Sequence, residues 1–542
     1  MQLVSSRDMR AIEAAADAGG LSYARMMQNA GAAVARAADD WMDGNPGVIV
    51  VLCGPGNNGG DGLVAALRLA ELGHAVRVLA YKRPAADPLR RAAAERPEIG
   101  VIDGSARDAL AQLDAWLDGA DLLVDALLGS GVSRPITGQL ARILTLAAEA
   151  VMGPDGPAVI AVDLPSGLDP DSGAVDPLCL AADLTVTFGF AKIGHFGWPG
   201  AAFVGQLVVD DIGIAADLAE RSETDLRVVT VESVAESLLE PPLDAHKGSF
   251  GRSLVWAGAT RYPGAAALAS EAAARAGCGL VQVALPGASI PGVATRVPEA
   301  IWLPLPEATA LADDAACVAS AARALQRAAA EAQAVVFGPG LSTEPGLAAL
   351  LDALLTALAE QPPTPTRWVV DADGLNLLAG MPDWPGRLPA RSVLTPHPGE
   401  MARLLGCGID AVNADRVAVA REAAARWGHV VVLKGALTVV AQPEGGVAIV
   451  PFANPALATA GTGDVLAGTI VGLLAQGLPP EEAARSGAWI HGRAGEMAAE
   501  DLGIRGTLAR DVLARLPEVL QGLEEGWELE PPGRFGFGRR PR

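Results

Sequence analysis

Residues 458–464, Ala-Thr-Ala-Gly-Thr-Gly-Asp, combine residue types that could bind a phosphate and move a proton. Glycines let a backbone approach a ligand closely, and the apolar residues 465–474 predict a helix that begins here. The first N–H groups of a helix are free and lie at its positive end, so they can bind an anion such as phosphate. Asp464 would lie beside that anion, where it could accept or donate a proton. On this segment alone, an acidic residue that only stabilises a helix start is an equally good interpretation.

A second glycine-rich segment, Gly-Pro-Gly-Asn-Asn-Gly-Gly-Asp-Gly at residues 54–62, follows an apolar run that predicts a buried parallel strand. A helix over residues 63–72 and a further strand complete a βαβ unit. Three of the glycines match the GxGxxG pattern of dinucleotide-binding turns. However, no acidic residue ends the second strand, and Asn57, Asn58 and Asp61 are more polar groups than a pyrophosphate turn needs. The segment therefore predicts a ligand-binding turn without defining a dinucleotide as the ligand.

Polar residues also follow three later strands of the first half. One strand ends in Asp125, the next ends in Asp163 and is followed by Ser166, and Lys192 comes shortly after the third. Ligands bind at the carboxyl edge of an open parallel sheet, so this repetition favours a site over three unrelated caps or turns. Asn58, Asp125 and Ser166 offer hard oxygen ligands with one carboxylate among them, which suits a monovalent cation better than magnesium.

The second half repeats the alternation of strands and polar loops. Asp371, His397 and Lys434 each follow a predicted strand, and no GxxxxGK[ST] sequence is present, which argues against a P-loop enzyme. His397 lies between two prolines and could form a rigid surface turn, but its place after a strand favours ligand contact. Lys434 could be a solvated charge, but its position after an apolar strand favours contact with a nucleotide phosphate. Both halves therefore predict doubly wound, three-layer α/β domains.

The 542-residue chain is too long for one hydrophobic core. We expect domains over residues 1–224 and 225–521, and a disordered tail over residues 522–542, which are rich in Gly, Pro and Arg. The net charge of −22 argues against a nucleic-acid partner. No signal-peptide pattern and no apolar run of ~18 residues appear, so we expect a cytoplasmic protein without a membrane partner. Five scattered cysteines indicate neither a zinc site nor a disulfide framework.

Three strings together resemble one known family: Asn-Asn-Gly-Gly-Asp-Gly at 57–62, Val-Asp-Leu-Pro-Ser-Gly at 162–167, and Ala-Thr-Ala-Gly-Thr-Gly-Asp-Val-Leu-Ala-Gly at 458–468. The chain resembles the bifunctional NAD(P)H-hydrate repair enzymes of bacteria from its N-terminal helix to about residue 520. This resemblance implies a Rossmann-like NAD(P)H-hydrate epimerase domain followed by a ribokinase-like, ADP-dependent NAD(P)H-hydrate dehydratase domain.

The resemblance also implies site residues for each activity. For hydrate binding by the epimerase, the matching residues are Asn57, Asn58, Gly59, Gly60, Asp61, Gly129, Ser130, Gly131, Val132, Ser133, Arg134, Pro135 and Asp163, and Asn58, Asp125 and Ser166 match ligands of a potassium ion. For the dehydratase, Ala265, Gly340, His397 and Asp464 match hydrate contacts, and Lys434, Gly435, Ala436, Leu437, Thr438 and Gly463 match the adenine-nucleotide site. The usual string of the family at 434–438 is Lys-Gly-Ala-Gly-Thr, so Leu437 replaces a glycine.

The chemistry that the resemblance implies joins these sites. Asp464 would take a proton from the C6 hydroxyl of the S hydrate as that oxygen attacks ADP, with a magnesium ion present, and NAD(P)H, AMP and phosphate would result. Asp163 and Lys192 are candidates for acid–base catalysis of R/S exchange. The implied partners are the small molecules NADHX, NADPHX and ADP, and the chain would form a homo-oligomer. Two alternatives are a ribokinase-type kinase that releases a phosphoester, and a first domain that only binds or scaffolds.

Overall fold

A computed structural model of the chain describes residues 1–131, 135–221, 224–360, 366–526 and 534–536. The chain forms two compact units. The first comprises Met1–Leu226 together with a strand near the C-terminus, and the second begins at Arg227. Among the described helices, none is both long and apolar enough to cross a membrane.

The described strands and helices have the following bounds. The strands are β1 Val48–Cys53, β2 Ala75–Ala80, β3 Ile99–Asp103, β4 Leu122–Ala126, β5 Ala158–Val162, β6 Leu184–Phe188, β7 Gln206–Asp210, β8 Leu226–Val228, β9 Arg252–Trp256, β10 Leu280–Pro286, β11 Ile301–Leu305, β12 Ala334–Phe337, β13 Arg367–Val370, β14 Val393–Leu394, β15 Val430–Leu433, β16 Thr438–Ala441, β17 Val447–Val450 and β18 Arg534–Gly536. The α-helices are α1 Ser6–Ala18, α2 Tyr23–Trp41, α3 Asn57–Glu71, α4 Pro88–Ala94, α5 Ala109–Leu117, α6 Gly138–Val151, α7 Ala201–Val204, α8 Val231–Ala235, α9 Pro263–Arg275, α10 Ile290–Ala294, α11 Ala308–Asp313, α12 Ala315–Glu331, α13 Pro345–Ala359, α14 Asp373–Ala379, α15 Trp384–Arg387, α16 Pro398–Leu405, α17 Ile409–Ala414, α18 Arg416–Trp427, α19 Thr462–Ala475, α20 Pro480–Leu502 and α21 Ala509–Glu524. Short 3-10 helices span Ile193–Phe196, Ala216–Arg221, Gly287–Ser289 and Pro455–Leu457.

The sheet of the first unit has the strand order β18-β7-β6-β5-β4-β1-β2-β3. All neighbours are parallel except the antiparallel pair β18 and β7. Helices cover both faces, because Ile49 and Val51 pack with α1, α2 and α3, whereas Val50 and Leu52 pack with α5 and α6. The strand order reverses between β1 and β4, and such a reversal opens a crevice at the carboxyl ends of the strands.

The sheet of the second unit has the strand order β11-β10-β9-β12-β13-β14-β15-β16-β17-β8. The strands from β11 to β15 are parallel, and the pairs β15/β16 and β16/β17 are antiparallel. Here the order reverses between β9 and β12, so the loops after these two strands flank the crevice. The predicted α/β class and the two doubly wound sheets are confirmed.

Small residues bring α9 and α19 into close contact. A Cβ added to Gly468 would lie 2.3 Å from the carbonyl oxygen of Ala269, and one added to Gly472 would lie 2.7 Å from that of Ala273. At the N-terminal end, a Cβ on Gly461 would lie 2.8 Å from a methyl carbon of Leu268. Residues of increasing number in α19 contact residues of increasing number in α9, so the two helices are parallel and their N-termini lie at the same edge of the sheet.

Two expectations about elements need correction. Helix α3 begins at Asn57 rather than at residue 63, because glycines let its first turn pack on the strand end: a Cβ on Gly59 would lie 2.0 Å from the carbonyl oxygen of Gly54. The tail predicted to be disordered over residues 522–542 contains the end of α21 and strand β18, where the buried Phe535 contacts Phe196 at a centroid distance of 5.3 Å. Residues 527–533 and 537–542 lie outside the described residues.

Candidate active sites

The N-terminus of α3 and the loop after β4 meet in the crevice of the first unit. Asn58 donates its side-chain N–H to the carbonyl oxygen of Leu128 at 2.9 Å, and a Cβ on Gly129 would lie 3.1 Å from the Cβ of Asn58. No side chain caps α3, since its N-cap is Gly56. The predicted residues Asn57, Asn58, Gly59, Gly60 and Asp61 therefore form the first turns of a helix that points into this crevice. Ser130, Gly131 and Pro135 continue the neighbouring loop, whereas Val132, Ser133 and Arg134 lie outside the described residues.

Asp163 and Lys192 form a buried ion pair at the end of β5. The Lys192 ammonium donates to Asp163 Oδ1 at 2.6 Å and to the Thr187 hydroxyl at 2.8 Å, and Thr187 donates to the same Oδ1 at 2.9 Å. The Lys192 side chain is 2% exposed and that of Asp163 is 13% exposed. Burial by itself would raise the pKa of Asp163, but the charge and hydrogen bond of Lys192 outweigh it and lower that pKa. His195 holds the backbone of this site by contacting the Asp163 carbonyl oxygen at 2.8 Å.

Asp61 has the opposite protonation behaviour from Asp163. Burial first, and then the negative charges of Asp163 and Glu13, raise the pKa of Asp61 well above its ordinary value. Burial and charge therefore shift the pKa values of Asp61 and Asp163 in opposite directions. Two carboxyl groups whose pKa values are driven apart can act as a proton donor and a proton acceptor.

The three predicted oxygen ligands lie around the end of β4. Ser166 donates its hydroxyl to Asp125 Oδ1 at 2.7 Å and its backbone N–H to Oδ2 at 2.8 Å, and its hydroxyl accepts the Leu128 N–H at 2.9 Å. Asp125 is fully buried, and burial raises its pKa despite these hydrogen bonds. No cationic side chain among the described residues pairs with it. A buried carboxylate with the Ser166 hydroxyl beside it, and with Asn58 bonded to the same loop at Leu128, fits a monovalent cation, because a cation would offset the cost of its charge.

In the second unit, Asp464 lies in the first turn of α19. Gly461 precedes the helix with a φ of +93°, and no side chain caps the helix. The N–H groups of Gly463 and Asp464 have no hydrogen-bond acceptor among the described residues, so they are available to an anion. The Asp464 carboxylate also makes no capping hydrogen bond, which argues against the interpretation of this residue as a simple cap. Burial, and next the negative charge of Asp371, raise its pKa to about 7 against the lowering effect of Lys434.

Lys434 lies in a network of carboxylates beside α19. Its ammonium donates to Asp371 Oδ1 at 2.6 Å and lies 3.8 Å from Glu400 Oε2. A Cβ on Gly463 would lie 3.5 Å from that ammonium, so Lys434, Gly463 and Asp464 are brought together as predicted. His397 is the N-cap of α16: its Nδ1 accepts the Gly399 N–H at 3.0 Å, and its side chain is half exposed.

The loop from Lys434 to Thr438 has a left-handed backbone at Leu437, the conformation that favours glycine. Leu437 has a φ of +54°, is 3% exposed, and donates its N–H to the Phe452 carbonyl oxygen at 2.8 Å. Arg416 donates to the carbonyl oxygens of Leu433, at 2.8 Å, and Ala436, which lie on either side of Gly435. The loop therefore wraps around a guanidinium group, and burial lowers the pKa of Arg416 to about 10.

Ala265 and Gly340 also meet, at the reversal point between β9 and β12. A Cβ on Gly340, whose φ is +60°, would lie 2.7 Å from the Cβ of Ala265. A cavity of about 280 Å³ opens from the same loops; its lining includes Trp256, Arg261 and Ser342. The two predicted hydrate contacts thus adjoin a cavity at the edge where α9 and α19 begin.

Sequence reasoning assigned no specific role to several residues that shape these sites. Arg83 donates to the carbonyl oxygens of Gly54, at 3.1 Å, and Gly56, at 2.9 Å, and so holds the glycine segment before α3. Asp371 and Glu400 surround Lys434. Their position at strand or helix ends was visible in the sequence, but their partners come from distant segments that local spacing does not reveal.

Comparison with known proteins identifies the family. Residues 23–194 match a family model described as YjeF-related protein N-terminus, and residues 253–518 match one described as NAD(P)H-hydrate dehydratase. The Bifunctional NAD(P)H-hydrate repair enzyme Nnr of Moorella thermoacetica is 39% identical over 522 residues, which cover 95% of each chain. The chain belongs to the bifunctional NAD(P)H-hydrate repair enzyme family.

One further relative agrees with this assignment to the repair enzymes, and one solved structure is similar to part of the chain. The protein of the same name from Escherichia coli is 35% identical over 514 residues, which cover 93% of this chain and 91% of that protein. A crystal structure of ADP/ATP-dependent NAD(P)H-hydrate dehydratase from Bacillus subtilis, co-crystallised with ATP and Mg²⁺, is 30% identical, covers 55% of this chain and 99% of its own, and has a TM-score of 0.46. The family inferred from three sequence strings is confirmed, as is the order of an epimerase unit followed by a dehydratase unit.

Proposed function

We propose that the second unit dehydrates the S form of hydrated NADH and NADPH at the expense of ADP, and that the first unit interconverts the R and S forms. The observation that supports the dehydratase site is the Asp464 carboxyl group. It lies at the start of α19 beside free N–H groups, and its pKa of about 7 allows it to accept a proton at neutral pH. The two activities together would return both epimers to usable cofactor.

The dehydratase step starts from a poor leaving group. Hydroxide leaves carbon with difficulty, whereas phosphate leaves readily. Asp464 takes the proton of the C6 hydroxyl while that oxygen bonds to the terminal phosphorus of ADP, and the bond from this phosphorus to the bridging oxygen breaks to release AMP. Phosphate then leaves C6 with the bonding electrons as a proton leaves the neighbouring ring carbon, which restores the dihydronicotinamide. The N–H groups of Gly463 and Asp464 stabilise the charge on the phosphoryl oxygens.

Magnesium would enter this site with the nucleotide. Among the described residues, no three His, Cys, Asp or Glu side chains are grouped as a metal site. A magnesium ion usually takes substrate phosphates as ligands and offsets their charge when bound. Lys434, Gly435, Ala436, Leu437, Thr438 and Gly463 would bind the nucleotide, and Ala265, Gly340 and His397 the hydrate.

Epimerisation needs a proton donor and a proton acceptor near C6. Asp163, whose pKa is lowered, and Lys192 supply an ion pair, and Asp61, whose pKa is raised, supplies a proton donor. The hydrate would lie against Asn57, Asn58, Gly59 and Gly60, the loop from Gly129 to Pro135, and Asp163. Asn58, Asp125 and Ser166 would hold a potassium ion that fixes the crevice between α3 and the loop after β4. Location in the cytoplasm and a homo-oligomeric state stay predictions.

Replacement of the Asp464 carboxylate tests whether dehydration and R/S exchange occur at separate sites. Asp464→Asn should abolish ADP-dependent recovery of NADH absorbance from the S hydrate and leave R/S exchange unchanged, because Asp464 and the exchange residues belong to different units. Loss of both activities would refute separate sites. A stable phosphorylated product in place of AMP, phosphate and NADH would favour a ribokinase-type kinase. Absence of R/S exchange in the parent enzyme would favour a first unit that only binds.

A further inference from the structure

Asp371, which follows β13, is a buried carboxylate beside the dehydratase site. Its side chain is 2% exposed, and its Oδ1 accepts hydrogen bonds from the Thr395 hydroxyl at 2.7 Å and from the Lys434 ammonium at 2.6 Å. The next residue, Ala372, has a φ of +48°, a conformation that alanine rarely adopts. Strained backbone persists where the surroundings hold it, and it is common at functional sites.

The ion pair of Asp371 and Lys434 lies against the first turn of α19. A Cβ on Gly463 would lie 3.5 Å from the Lys434 ammonium and 3.8 Å from Asp371 Oδ2. Gly463 directly precedes Asp464. The backbone of Asp371 is itself fixed, because its N–H donates to the Phe337 carbonyl oxygen at 3.2 Å. The position of this carboxylate relative to the start of α19 is therefore set by the end of β12 and β13.

Negative charge predominates around Asp464. Three ionisable groups act on Asp464: Asp371 and Asp373, which follow β13, and Lys434, which follows β15. Glu400 of α16 and His491 of α20 in turn face Lys434, and His397 lies beside Glu400. Leu268 of α9 and Ala509 of α21, which contact the same turn, are apolar. Burial lowers the pKa of His491 to about 4, so this histidine is neutral near pH 7. The Lys434 ammonium thus lies between Asp371 and Glu400.

We propose that Asp371 is a positioning residue of the dehydratase: its carboxylate fixes the Lys434 ammonium against the first turn of α19, and its negative charge keeps Asp464 able to accept the proton of the hydrate. This inference rests on the proposed dehydratase function. Without the Asp371 charge, the Lys434 ammonium would act on Asp464 with less opposition and would stabilise its ionised form. Asp464 would then be a weaker base.

The variant Asp371→Asn tests this role because asparagine keeps an oxygen that can accept from Thr395 and Lys434 while the charge is removed. The readout is kcat/KM of the full-length enzyme for the S hydrate between pH 5 and pH 9, at saturating ADP and magnesium. In the parent enzyme kcat/KM should decline toward low pH, and we call this decline the acid limb. We expect Asp371→Asn to move the acid limb to lower pH, so that the ratio of kcat/KM at pH 8 to that at pH 6 falls from about ten in the parent to about two in the variant. A rate that falls equally at every pH, with the acid limb unmoved, would show a merely structural role and overturn the proposal.

Two further variants complete the experiment. Asp373→Asn removes a neighbouring carboxylate with a weaker effect on Asp464 and should move the acid limb by less than Asp371→Asn does. If Asp371→Asn does not fold, Lys434→Gln takes its place and should move the acid limb to higher pH; an unmoved limb would refute the electrostatic coupling. R/S exchange by each variant reports on the integrity of the first unit. If the parent enzyme itself recovers no NADH, the proposed function fails, and this result differs from an unmoved limb in an active enzyme.

Discussion

The pH dependence of NADH recovery offers a quantitative test of Asp464. Its pKa of about 7 means that the carboxyl group is about one-tenth ionised at pH 6 and about nine-tenths ionised at pH 8. A general base acts only in its ionised form, so activity should decline as pH falls through 7. We therefore expect kcat/KM for the S hydrate to be about tenfold higher at pH 8 than at pH 6. An unperturbed aspartate, with a pKa of about 4, would give nearly equal values.

The assay follows NADH absorbance with the full-length enzyme, the purified S hydrate, and saturating ADP and magnesium. ADP also titrates near neutral pH, so Asp464→Asn serves as the control: if any rate remains in this variant, that rate should lack the decline toward low pH. R/S exchange, measured without ADP in the same buffers, reports acid damage to the protein. A flat profile between pH 6 and pH 8 would refute the assignment of the base. An identical acid limb in Asp464→Asn would show that the nucleotide, rather than the carboxylate, titrates.

Three other perturbations probe the two units. Lys192→Met should abolish R/S exchange and lower the free energy of unfolding by about 3 kcal/mol, because it leaves the buried Asp163 without its cation. Chromatographic separation of the epimers measures the exchange, and urea unfolding measures the stability. A variant as stable as the parent enzyme would contradict this prediction. An alanine in the left-handed conformation costs about 1–2 kcal/mol. Gly461→Ala should destabilise the second unit by more than this, since its Cβ would also lie 2.8 Å from a leucine methyl of α9. The matched control in urea unfolding is Gly445→Ala, because Gly445 has a φ of +102° and open space around it. Potassium should raise the temperature at which R/S exchange is lost, relative to equal choline, in the parent but not in Asp125→Asn; an equal effect of both salts would argue against a potassium site.

Much of the fold was predictable because its strands are continuous apolar runs with glycine or polar residues at their ends. Strand β1 ends directly before the glycine-rich segment and β15 directly before Lys434, as predicted, since every residue of such a run can be buried between helix layers. The start of α3 was not predictable from the same rule. Three glycines and two asparagines suggest a loop, but close packing of Gly59 on Gly54 makes them the first turns of a helix.

The sequence by itself determined the types and spacing of the chemical groups: a carboxylate after a glycine turn, an amide string before a helix, and acidic residues at strand ends. Local spacing sufficed for these because a helix start and a strand end are short-range features. Only the tertiary structure decided the pKa shifts and partners of these groups. Lys434 pairs with Asp371 from 63 residues away, and the pKa of Asp61 is raised while that of Asp163 is lowered. Charge and desolvation act through space, so the folded arrangement of distant segments, rather than their order along the chain, determines which carboxyl group gives a proton and which accepts one.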